Sequence, residues 1–147
     1  MNTTFINKNA VFQICVNGFI NGAISGEIYH RRLSEPVKFT DINDFLYLTE
    51  ALMDKQKYPQ AFQNKRTFKR GQLPAPDYRL LEDKDGVEIE GFAGRLMTFT
   101  MYVVSRQNVS WQGYVRFAGE AGETVFHSEL DLIRLILKHV LTALGAP

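Results

Sequence analysis

The side chains that could do chemistry here are one cysteine, three histidines and a few paired acids. Cys15 stands between Ile14 and Val16 in an alternating run, so the pattern aims it at the face opposite those two. A nucleophilic thiol needs a base beside it. In a hairpin closing near Ile20 and Asn21, however, Cys15 falls opposite Gly26 or Glu27, not His30. His127 precedes a helix start and His139 lies at a polar-to-apolar boundary, which predicts a surface position. No two histidines stand four apart, and one cysteine makes neither a disulfide framework nor a thiolate zinc site. Asp83 and Asp85 before Gly86 begin like a calcium loop, but the third ligand and the distal glutamate are absent. No phosphate loop, dinucleotide fingerprint or nucleophile elbow occurs. The sequence therefore assigns no catalytic residue, no metal ligand and no cofactor, and predicts a non-enzyme.

Charge offers a second kind of chemistry. Overall the chain is nearly balanced, 17 Lys+Arg against 16 Asp+Glu. Residues 55–79 hold seven basic residues against Asp77, and residues 80–90 hold five acids against Lys84. Lys65, Arg66, Lys69 and Arg70 are interleaved with Phe62 and Phe68, and a sheet face displaying Tyr29, Tyr102 and Tyr114 would lie beside them. Basic side chains for phosphates and aromatic rings for bases are what single-stranded nucleic acid requires. Solvated loop cations and cross-strand tyrosine pairs explain the same residues without a ligand, and that explanation is favoured.

Two resemblances bear on residues 106–113. Arg106-Gln-Asn-Val-Ser-Trp-Gln-Gly113, followed by Val115, Phe117 and FHSELDL, resembles a group of short uncharacterised bacterial proteins with an RQN-x-SWQG run. That resemblance implies no activity. Arg66-x-x-x-Arg70 with Asn108-x-Ser110-x-x-Gly113 is similar to the two short signatures of the PilZ family, which implies a cyclic-dinucleotide sensor. The separation of the two signatures is longer than that family's, and the sequence after Gly113 departs from it.

These residues are carried by a repeat. At an offset of 87 residues, Phe12, Val16, Asn21, Gly26, Phe39, Asp44 and Leu48 fall on Phe99, Val103, Asn108, Gly113, Phe126, Asp131 and Leu135 without a gap. Each copy reads as strand, turn, strand, short extended segment and helix. Asp41 and Ser128 are the expected N-caps, with Asp44 and Asp131 placed to reach back. The first helix carries a stripe of Ile42, Phe45, Leu46, Thr49, Leu52 and Met53. The second carries Leu130, Ile133, Ile136, Leu137, Val140, Leu141 and Leu144, with Leu132 and Leu135 further round. So wide an apolar arc is either sandwiched within the monomer, which is favoured, or covered by another subunit. If part of it is surplus to the core, a dimer face is expected at Leu137 and Leu141, with Ile133 inside.

The fold expected is α+β: a duplicated β-hairpin–helix unit, an antiparallel sheet and two helices on one of its faces, related by a pseudo-two-fold. One domain spans 1–147, with repeats at 11–54 and 98–145 and a connecting region at 55–97 that holds a possible small hairpin around Asp85-Gly86. The apolar stretch Leu130 to Leu144 is broken by charges, and no leader pattern opens the chain, so a cytoplasmic location and no membrane partner are expected. A protein-interaction or scaffold module, pairing with itself or a protein partner, leads. Nucleic-acid binding is the alternative, and the cyclic-dinucleotide sensor follows.

Overall fold

The computed structural model describes residues 7–60 and 78–145. Alternation and turn chemistry set the strands. β1 (Val11–Ile20) and β2 (Ala23–Tyr29) pair antiparallel across Asn21-Gly22, both at positive φ (54° and 80°), the conformation a two-residue hairpin needs and these two residues tolerate. β3 (Val37–Phe39) is the short extended segment, and α1 (Ile42–Gln56) follows it. The second half repeats the order with β4 (Met97–Ser105), β5 (Gln112–Phe117), β6 (Thr124–Phe126) and α2 (Glu129–Ala143). These six strands, among the described residues, form one antiparallel sheet in the order β3-β2-β1-β4-β5-β6, and with the two helices they make an α+β fold.

The 87-residue offset between matching residues holds for local geometry. β6 and α2 begin and end 87 residues after β3 and α1. β1 slips register against β2 between Val16 and Gly18, and β4 slips against β5 between Val103 and Ser105. A Cβ on Gly26 would stand 1.9 Å from the Cys15 carbonyl oxygen, and one on Gly113 would stand 1.8 Å from that of Tyr102, so both sites demand glycine. At the β1–β4 seam Gln13 lies opposite its own counterpart Thr100, whose hydroxyl donates to Gln13 Oε1 at 2.8 Å.

Both helices are capped alike. Asp41 accepts from the Asp44 amide at 2.7 Å and Ser128 from the Asp131 amide at 3.2 Å. The carboxylates of Asp44 and Asp131 reach back one residue further than the usual reciprocal box, accepting from the amides of Thr40 and His127 at 2.9 Å. Both helices bury against one sheet face, in a single cluster with Phe12, Ile14, Val16, Phe99, Met101, Val103, Trp111, Val115 and Phe117. From α1 it takes Phe45, Leu52 and Met53, as its stripe predicted.

Two expectations need correction. α2 buries Leu132, Ile136 and Val140, whereas Ile133 is only half-buried and Leu130, Leu141 and Leu144 are exposed. The predicted stripe was turned about one residue from the true inner face, because α2 is apolar on two adjacent faces. The hairpin expected around Asp85-Gly86 does not form: among the described residues, 78–96 contains no strand beyond an isolated bridge from Leu33 to Leu80. That segment covers the outer face of the first half of the sheet instead. Phe92 stacks on Tyr29 with ring centroids 4.1 Å apart, its carbonyl accepts from Gln13 Nε2 at 3.0 Å, and Ile89 is buried.

Candidate functional site

The Arg106–Gly113 run was the strongest sequence marker, and its geometry is that of a joint. Arg106 is 3% exposed. Its Nε donates to the Pro59 carbonyl at 2.7 Å, and its Nη1 to Glu50 and Asp54 at 2.8 and 2.7 Å. Trp111 Nε1 donates to the other Glu50 oxygen at 2.5 Å. Asn108 takes φ 56°, which turns the chain, and Ser110 Oγ and the Trp111 amide donate to Glu129 at 2.7 and 3.1 Å. Gln112 closes the turn on itself, accepting from Ser105 Oγ and the Gln107 amide at 2.8 Å. The run thereby ties the β4–β5 connection to the last turns of α1 and the first turn of α2. Sequence reasoning missed Arg106 in this role. The available signal was Glu50 and Asp54, two carboxylates four apart on one flank of a helix, a spacing that suits one guanidinium.

The nucleophile and base candidates lie apart. Cys15 is buried opposite Glu27, and burial, with that carboxylate, pushes its thiol up to about 11, away from nucleophilic thiolate. His30 is fully buried on the other sheet face. Its Nδ1 accepts from the Arg32 amide at 3.1 Å, so Nε2 carries the proton towards the Asn9 carbonyl at 3.0 Å. Burial above all, aided by Arg31 and Arg32 and opposed by the Asn9 bond, brings it down to about 4. His139 is no free surface group: it stacks on Phe117 at 3.5 Å and contacts the Leu135 carbonyl and Glu120, each at 2.8 Å. Asp83 accepts from Asn9 Nδ2 at 2.9 Å and from Arg31 Nη1 at 2.7 Å, and these bonds, Asn9's first, hold its carboxyl below the usual range. No group of three metal-ligating side chains gathers among the described residues.

Of the three sheet tyrosines, two form a cross-strand pair. Tyr102 and Tyr114 stand opposite each other and stack at 4.6 Å, with Tyr102 only 8% exposed, so each has one ring face already occupied. Tyr29 is covered by Phe92. Lys65, Arg66, Lys69 and Arg70 lie outside the described residues. Of the dimer-face pair, Leu141 is 45% exposed while Leu137 is half-buried against the core. With Leu130 at 56% and Leu144 at 50%, Leu141 belongs to an apolar row along an outer flank of α2. The chain matches no family model, no curated protein and no solved structure. No helix among the described residues is long and apolar enough to cross a membrane.

Proposed function

We propose that the protein is a non-enzymatic interaction module that docks a protein partner through the outer flank of α2. One observation carries this: Leu130 and Leu141 on the 15-residue α2, and Leu144 at its C-cap, are each about half exposed along one flank, while the inner face of α2 is already satisfied by the core. A contiguous apolar row facing water costs solvation free energy unless something covers it. The Arg106–Gly113 run supports the same reading, since its polar groups are engaged in joining elements and not gathered around a cleft. The two halves, matching in caps, bulges and close-packed glycines, are on this reading products of duplication that diverged at the helix flanks.

A photoreactive amino acid at position 141, activated in living cells of the source, tests the proposal. It should capture a protein, whether another copy or a different chain. The same probe at Val87, 40% exposed on the far connection, should capture none. Capture at Val87 only, or at neither position, would sink the docking reading.

A further inference from the structure

We infer that the partner on this flank is a second copy of the chain, joined by an antiparallel α2–α2 pair with its two-fold axis at Leu137; this rests on the docking reading above. The apolar row is Leu130, Ile133, Leu137, Leu141 and Leu144. At 3.6 residues per turn these fall within about 80° of arc. Their spacing reads the same in both directions from Leu137: four residues out to Ile133 and Leu141, seven out to Leu130 and Leu144. An isologous contact requires this self-complementarity, because each residue must meet the mirror position on its partner. Leu137 then faces its copy, Ile133 faces Leu141, and Leu130 faces Leu144. Opposed helix directions also set the two macrodipoles antiparallel.

The first half shows what this flank does when it is closed from within. The α1 positions matching the row are Asn43, Leu46, Glu50, Asp54 and Lys57. There Glu50 and Asp54 receive Arg106, and the chain leaving α1 folds back so that buried Pro59 meets the same guanidinium. In α2 the same two positions are Leu137 and Leu141, and Arg106's own counterpart is Phe19. An ionic closure within the chain has been exchanged for an apolar face with leucines still in solvent. Exposed Arg134 and Lys138 border the row, and the two-fold brings them to the same side as their copies. Association should therefore strengthen as salt screens this repulsion, the opposite sign to phosphate binding.

Cysteine pairing on the full chain tests the geometry, because the one native cysteine, Cys15, is buried and leaves the background clean. Under mild oxidation Leu137→Cys should cross-link to itself. A mixture of Leu130→Cys and Leu144→Cys chains should form the mixed dimer. Leu130→Cys alone should cross-link at least about fivefold less, since its copy would lie about 21 Å away along the axis at 1.5 Å per residue. Sedimentation from about 0.05 to about 0.5 M salt, within the range where the Debye length falls steeply, should show tighter association. Strong self-linking at Leu130 would overturn the antiparallel pair, as would position-independent linking or weakening by salt. A strict monomer whose position-141 photoprobe captures a different protein would overturn self-pairing and leave the docking reading standing. A monomer with no capture would overturn both.

Discussion

Arg106 shows at the residue scale how the chain's most distinctive run joins separate elements. A guanidinium at 3% exposure among two carboxylates and a carbonyl is tolerable only while each partner is present. Arg106→Ala should therefore cost about 3–5 kcal/mol in urea unfolding, the range for breaking a buried pair by removing one partner. Arg106→Lys should recover only part, because an ammonium lacks the planar fork. His30 sets a different dependence. It is neutral in the fold, near 4, against about 6.5 for an unfolded histidine, so between those values the unfolded chain binds more protons. Its contribution is complete above about pH 6.5 and is lost as pH falls towards 4, roughly 3 kcal/mol in all. We expect the acid-side fall in urea midpoint to be shallower in His30→Gln than in the parent. Parallel curves for the two would refute this assignment.

At the element scale the 87-residue correspondence between matching residues was the most informative part of the sequence, and it held one answer the periodicity did not. The caps at Asp41 and Ser128 and the hairpin turn near Ile20 and Asn21 were legible, because each is a local demand that few residue types meet. The inner face of α2 was not, since leucine and isoleucine on two adjacent faces give no single phase. Its counterpart α1 resolves it: Phe45, Thr49 and Met53, all buried, map onto Leu132, Ile136 and Val140. The cover of residues 87–96 over the sheet was also missed, because stacking of Phe92 on Tyr29 is a long-range contact with no local signature. The matched glycines yield a sharp expectation. Gly26→Ala and Gly113→Ala should each destabilise by several kcal/mol, roughly the upper range for backbone strain and overpacking. Gly91→Ala, whose Cβ meets nothing within 4 Å, should fall within about 0.5 kcal/mol of the parent. Equal midpoints for all three in urea would contradict the close approach.

For the whole molecule, the central seam is β1 against β4, and the Arg106 joint ties the second half to α1. Each half therefore completes the other's core, and residues 95–147 alone should fail to melt cooperatively as a monomer. A folded, monomeric fragment by light scattering and thermal denaturation would contradict that interdependence. The fold class was legible because a similar hydrophobic pattern occurs in both halves of the chain. Function was not, because an apolar flank looks the same in sequence whether a core or a partner covers it.

The claim that α2 uses its outer flank for association is tested most directly by sedimentation equilibrium of the parent and Leu141→Asp across a concentration series. The account expects a reversible dimer for the parent. For the variant it expects a monomer, weakened at least about tenfold in association, whose cooperative melt at high dilution matches the parent's, because Leu141 stands outside the core. Unchanged association in a folded Leu141→Asp, or a variant that loses its cooperative melt, would contradict it.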